Sequence, residues 1–225
     1  MKSIYHEFTF PIINWDNEIE AAIQAEQLLS DLVKNKKILT NLLYNVETHS
    51  NLMNMCECHT YDDKIVLFNG LETHGYRIRF RLAKYVEKER IHNHRFTAIH
   101  HIITGQFQQK FYIPRKPIIA CKAIEDFTFI QLSNHTKGES FEVNYKDFHS
   151  SQTTKGTISL LLRGPVKNSE AIGINCHDNS IRIRKGYNNS NIKENTEHKM
   201  PITTFINWVQ ILIKEEIIYS REYII

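Results

Sequence analysis

The spacing of apolar residues changes near Lys64, and the change divides the chain. Upstream, residues 4–14 alternate through His6-Glu-Phe8-Thr-Phe10, read as extended, and stop at Pro11. Asp16 or Asn17 is placed to cap a helix, after which Ile19, Ala22, Ile23, Leu28, Leu29, Leu32 and Val33 recur near helical spacing. The polar run Lys34-Asn-Lys-Lys37 interrupts that pattern, and Ile38, Leu39, Leu42, Leu43 and Val46 then share one face of a second helix. Both helices read as packing helices.

From Lys64 the period is that of strands. Ile65–Phe68 ends at Asn69-Gly70, Tyr76–Leu82 alternates strictly, and Phe107–Ile113 follows Gly105. Short apolar runs occupy Ile118–Ile124, Phe127–Leu132, Phe141–Tyr145, Thr157–Arg163, Ala171–Cys176 and Ile181–Arg184. Many short strands with turn signals about every 8–12 residues predict a mainly β, closed or sandwiched antiparallel fold. Residues 186–199 are polar and turn-rich and read as a mobile loop. Pro201 suits the first turn of a last helix with Phe205, Val209, Leu212 and Ile213 on its apolar face. The expected organisation is a helical segment over 1–62, a β-barrel over 63–186, and a loop plus helix over 187–225.

Composition adds exclusions. A chain of 225 residues with 41% hydrophobic residues has enough apolar surface for one full core. A formal charge of +3 gives no argument for a nucleic-acid partner or a membrane surface. No apolar run is long enough to span a bilayer, and the N-terminus lacks the apolar core of a signal peptide, so a cytoplasmic location is expected. The four cysteines, Cys56, Cys58, Cys121 and Cys176, are then expected as free thiols. Cys56-Glu-Cys58-His59 is tighter than usual zinc spacing and lacks a second ligand pair, so it reads as strand residues near the core. No Gly-rich phosphate loop and no Gly-x-Ser-x-Gly nucleophile motif is present.

The chemistry concentrates between Arg90 and Gly105, which hold four of the twelve histidines. Read as one strand, this stretch sets His92 and His94 on one face, with Cα atoms about 6.5–7 Å apart. His100 and Ala98 share their parity, and His101 faces the other way. Apolar flanks at Ile91, Phe96, Ile99, Ile102 and Ile103 imply burial, and a buried imidazole pair needs a partner such as a metal. His100 is a candidate catalytic group beside the metal, a fourth ligand, or a core histidine. His135, between Asn134 and Thr136, reads as a turn residue.

The spacing His92-x-His94-x3-Ala98-x6-Gly105 resembles the first motif of the cupins, with Ala98 where that motif usually carries a metal-binding Glu. Gly138 and His149, in GESFEVNYKDFHSSQT, match the spacing of the second motif. Its usual Pro, Gly and Asn are replaced by Asn144, Lys146 and Thr153. The resemblance covers roughly residues 64–184. It implies a cupin jelly-roll barrel, a double-stranded β-helix, with two N-terminal helices and a C-terminal helix added. It also implies a metal held by His92, His94 and His149. Loss of the Glu is shared with thiol dioxygenases of the cysteine dioxygenase type, so the resemblance implies a three-histidine site.

Three neutral imidazoles leave an Fe(II) ion its full charge and open positions for substrate and O2 together, although zinc, manganese or nickel would accept the same ligands. The expected function is a mononuclear Fe(II) oxygenase acting on a small polar substrate such as an amino acid or thiol. A metal-dependent isomerase or lyase, and a ligand-binding cupin without turnover, are the alternatives. Arg77, Arg79 and Arg81 form a one-sided row. Facing the barrel, they or Arg163 would grip a substrate carboxylate. If Tyr76, Ile78, Phe80 and Leu82 face inward instead, the row meets solvent or a homodimer contact. Tyr112 is a further candidate for a hydroxyl at the site.

Overall fold

Tyr76, Ile78, Phe80 and Leu82 are fully buried, yet they do not point into the barrel. The computed structural model describes residues 8–86, 90–185 and 198–223. It contains α1 (Glu18–Lys34), α2 (Lys36–Thr48), α3 (Ser50–Met53) and α4 (Ile202–Lys214). Twelve strands follow in order: β1 (Glu57–Cys58), β2 (Asp62–Gly70), β3 (Tyr76–Ala83), β4 (Arg90–His92), β5 (Ala98–Thr104) and β6 (Gln106–Pro114), then β7 (Phe127–Thr136), β8 (Ser140–Val143), β9 (Phe148–Thr153), β10 (Ile158–Arg163), β11 (Glu170–Asn175) and β12 (Ile181–Lys185).

The strands form two antiparallel six-stranded sheets, ordered β1-β2-β3-β10-β5-β8 and β12-β11-β4-β9-β6-β7. Without the outer pairs β1-β2 and β12-β11, each sheet keeps four strands, β3-β10-β5-β8 and β4-β9-β6-β7. Successive strands switch between the sheets in the order of a jelly roll, two interlocked Greek keys. The chain crosses from β5 in one sheet to β6 in the other at Gly105, whose φ of +85° suits glycine.

Asn17 caps α1 by accepting a hydrogen bond from Glu20 N, and Asn35 both ends α1 and caps α2 by accepting from Ile38 N. The α1 face that packs is Ala21, Ala25, Leu28, Leu29 and Leu32; Ile19 and Ile23, expected inside, are exposed. The two alanines let the helix backbone approach the sheet closely. Helices α1, α2 and α4 bury their apolar faces with Tyr76, Ile78, Phe80, Leu82, Ile99, Leu160 and Leu162, the outward face of the first sheet. Each such aliphatic or aromatic side chain contributes roughly 1.5–3 kcal/mol.

The helical cover leaves the opposite face of that sheet to line the barrel. Cross-strand partners put Arg77, Arg163 and Ala98 in one layer, Arg79, Leu161 and His100 in the next, and Arg81, Ser159 and Ile102 in the third. The arginine row therefore lies inside the barrel even though the apolar face of β3 is core. The sheet is buried on both sides, which alternation alone does not reveal.

Two further expectations are corrected. Residues 90–105 are not one strand: β4 belongs to one sheet and β5 to the other, and residues 93–97 turn the corner between them. The apolar run Ile118–Ile124 forms single 3-10 turns at Ile118–Ala120 and Ile124–Asp126, not a strand. The mobile loop expected over 186–199 lies almost entirely outside the described residues, as does the start of the extended segment expected over 4–14.

Candidate metal centre in an arginine-lined barrel

His92 and His149 are directly opposed across β4 and β9, so their side chains leave the sheet on the same face. His94, two residues past β4 at the corner, turns back toward them. Ring centroids lie 4.5 Å apart for His92–His149, 4.9 Å for His92–His94 and 5.1 Å for His94–His149. One ring nitrogen from each of the three lies within 4.8 Å of the others, and no other metal-ligand group is found among the described residues.

Proton placement favours a metal. His92 Nδ1 lies 3.0 Å from the Arg90 carbonyl oxygen and His149 Nδ1 lies 2.9 Å from Gln109 Oε1. Both partners are acceptors, so each Nδ1 carries the proton and each Nε2 keeps its lone pair, the tautomer a metal ligand requires. His149 Nε2 then faces His94 Nε2 at 2.9 Å. Two nitrogens bound at right angles to one ion, each at about 2.1 Å, lie about 3.0 Å apart. The donor set thus fits a divalent cation with imidazole ligands. Burial holds His149 well below the usual histidine value, with the neighbouring His92, His94, His100 and Arg81 adding to the effect. Burial does the same to His94, helped by His92, His100, Arg184 and Arg79. Neutral imidazoles are what a metal needs.

The arginines differ in their commitments. Arg81 is tied to Asp62 by a 2.6 Å ion pair and lies over the Phe107 ring at 4.9 Å. Arg77 donates to Asn69 Oδ1 at 2.8 Å. Arg79 Nε and Arg163 Nε are buried without a hydrogen-bond partner, and the Arg163 guanidinium lies over the Phe96 ring at 4.6 Å. Burial, then Arg77, Arg79 and Arg95, pushes the Arg163 guanidinium down to about 9. Burial lowers Arg79 as well, and Arg81 adds to it against Glu57 and Asp62.

His100 is inside the barrel as parity predicts, but one layer from the histidine trio. It stacks on Phe141 at 4.8 Å and meets Phe107 at 5.3 Å, and burial with Arg81 and Arg79 lowers it well below the usual value. Tyr112 is not brought to the site. Phe111, one position before it, pairs with His149, so Tyr112 leaves the other face of β6 with Phe148, its hydroxyl 3.4 Å from Ser150 Oγ. His101 points outward from the barrel as expected, yet is buried beneath the helical layer, its Nδ1 2.9 Å from Ser140 Oγ. His135 lies within β7 and stacks on Phe141 at 4.3 Å, so it is not a turn residue. Cys56 is buried beneath the helices, its Sγ accepting from Val66 N, and burial pushes its thiol up to about 11, which suits a core residue.

Two features of the site escaped sequence reasoning. Gln109 is fully buried on β6 and orients His149, but nothing local marks it as facing a histidine 40 residues away. A cleft of about 50 Å3 beside His92 is lined by Arg90, Arg182 and Arg184. The alternation in Ile181-Arg-Ile-Arg184 was a visible signal for the last two.

No family model matches the chain, and no curated protein does. Among solved structures, an ectoine synthase from P. lautus overlaps 53% of this chain and 75% of its own, with 11% identity and a TM-score of 0.39. An RmlC-like cupin from Shewanella frigidimarina overlaps 50% of this chain and 85% of its own, with 16% identity and a TM-score of 0.35. KdgF from Halomonas sp. overlaps 48% and 84%, with 9% identity and a TM-score of 0.34. The barrel is a jelly roll. That statement rests on the strand order, not on these partial overlaps. Among the described residues, no helix is long and apolar enough to cross a membrane.

Proposed function

We propose that this chain is a metal-dependent cupin enzyme, with one divalent ion held by His92, His94 and His149, and that it oxidises a small polar substrate such as an amino acid or thiol with O2. The observation that carries the reading is the convergence of three imidazoles, two of them with Nδ1 held against an oxygen acceptor. Bound there, Fe(II) would supply open positions for substrate and O2 and a path for electrons between them. Among the described residues no carboxylate joins the trio: Ala98 stands where the cupin motif carries Glu, and it is buried on the inward face of β5. Gln109 holds the His149 ring, and the inward arginines favour substrates that bring negative charge.

Metal analysis of anaerobically purified protein, followed by O2 uptake against a panel of amino acids and thiols, tests this. Bound iron near one equivalent is expected, with O2 uptake only when substrate is present. The His92→Ala/His94→Ala variant is expected to keep its fold and lose the metal. Equal metal content in variant and wild type would remove the proposed ligands. Full turnover with Zn(II) under argon would replace the oxygenase by an isomerase or lyase in which the ion polarises the substrate.

A further inference from the structure

Five buried side-chain nitrogens lack a hydrogen-bond partner among the described residues, and four of them sit at inward-facing positions of the barrel. They are Arg79 Nε, Arg163 Nε, Gln109 Nε2 and His100 Nδ1. The strand registers place Arg163 beside Ala98 in the layer next to the histidines, and Arg79 and His100 on either side of Leu161 one layer deeper. Gln109 faces them from the other sheet, two positions from the Phe111–His149 pair. A buried N–H without an acceptor is costly, more so on a charged group. Native barrels do not gather such groups by accident of packing, because each lowers stability.

Among the described residues, Glu57 and Asp62 are the carboxylates that support the Arg79 charge, but their hydrogen bonds go elsewhere. Asp62 is taken by Arg81, and Glu57 is taken by His59 at 2.9 Å and Lys64 at 3.6 Å. Of the other inward positions of the first sheet, Ala98, Leu161 and Ile102 carry no acceptor, and Ser159, the one hydroxyl in these layers, stands beside Arg81. The guanidiniums crowd one another instead. Among the described residues, no acceptor oxygen is hydrogen-bonded to Arg79 Nε or Arg163 Nε.

We propose that the barrel takes a small oxygen-rich acid, with one carboxylate bound between Arg79 and Arg163 and at least one more acceptor oxygen reaching Gln109 and His100. The inference rests on the reading of the site as a metal-dependent cupin and selects, among small polar substrates, those that carry a carboxylate and a second acceptor oxygen. A guanidinium and a carboxylate make a paired, charge-assisted contact that sets orientation as well as affinity. Monoamines and neutral molecules leave both arginines unpaired and are excluded by the same cost. The arginines at the cleft beside His92 place positive charge on the approach, which draws anions inward.

Calorimetric titration of zinc-loaded and metal-free protein with malonate, acetate and ethylammonium tests the proposal without turnover. Malonate is expected to bind saturably and acetate at least roughly tenfold more weakly, because it lacks the second acceptor group. Ethylammonium is expected not to bind. Arg79→Met and Arg163→Met are each expected to weaken malonate roughly thirtyfold or more while zinc content stays at the wild-type level. Where a Met variant fails to fold, the Lys variant at that position is read instead, and it is expected to lose affinity despite equal charge. Malonate binding unchanged in both arginine variants, or acetate binding as tightly as malonate, overturns the proposal. If the wild type takes up no zinc but malonate binding still depends on both arginines, the metal reading fails and the acid site stands.

Discussion

His149 and Gln109 meet 2.9 Å apart, ring Nδ1 to amide Oε1, both buried inside the barrel. The contact decides which histidine nitrogen is free to face His94. Gln109→Leu removes the acceptor at similar volume, so the ring loses both its tautomer and its orientation. Metal affinity is expected to fall roughly 10–100-fold, as for other partners that orient metal-bound histidines. Competition with a chelator of known affinity measures it, and an unchanged affinity would show that the contact does not hold the ring for a metal.

Ala98 shares its layer with Arg163 and lies on the wall that faces the histidines. Ala98→Glu brings a carboxylate into that layer. The added group is expected to pair with Arg163 and to compete with malonate, abolishing its binding. It is also expected to tighten metal retention, since it offers an anionic ligand where the cupin motif has one. Malonate affinity and metal retention equal to wild type would mean that the side chain at 98 does not face the centre.

His100 is neutral in the folded protein because burial, Arg81 and Arg79 depress its proton affinity. In the unfolded chain it titrates near 6.5. The folded value is the lower one, so between the two the unfolded state binds the extra proton and stability rises with pH. Read downward, stability is full above about pH 6.5 and is lost below it, by up to about 1.4 kcal/mol per pH unit from this group. His100→Gln is expected to flatten part of that slope. Denaturant unfolding between pH 5 and 8 on metal-free protein, wild type against variant, checks the sign; identical slopes would contradict it.

Gly105 turns the chain from β5 in one sheet to β6 in the other with φ +85°, and a Cβ there would press into the Thr157 side chain and its Cα. Gly105→Ala must therefore either bend that connection or displace the start of β10. The left-handed conformation alone costs roughly 1–2 kcal/mol, and the clash adds to it. A drop in the urea midpoint beyond that range is expected, while Gly156→Ala, also at positive φ but with open space around it, is expected to lose only the conformational part.

Asp62 accepts from Arg81 inside the barrel, where burial opposes its charge but Lys64 and Arg81 outweigh that and hold it below the usual carboxylate range. Asp62→Asn leaves Arg81 buried beside an amide. Loss of a buried partner costs about 3–5 kcal/mol, and replacing Arg81 by Met in the same chain is expected to recover much of it. A double-mutant cycle in urea measures the coupling; an additive result would show that the pair does not act as a pair.

The sequence alone determined the periods, and with them the elements. Asn17 and Asn35 sit where helices start because their side chains accept from the first turn, and that is local chemistry. Strict alternation in Tyr76–Leu82 fixed that the arginines share one face. The spacing of His92, His94 and His149 pointed to a common site. Alternation could not say what covers each face, because a two-faced strand is equally consistent with solvent or with a second layer on its polar side. Only the tertiary structure decided that: α1, α2 and α4 cover the apolar face, so the cationic face closes the barrel. The tertiary fold also broke residues 90–105 between two sheets, since a chain that crosses from one sheet to the other must leave the strand at the corner. His92 meets His149, Gln109 orients His149, and Arg163 stands beside Ala98 through pairings between segments distant in sequence. No local pattern encodes such pairings, because they depend on which strands the jelly roll sets side by side.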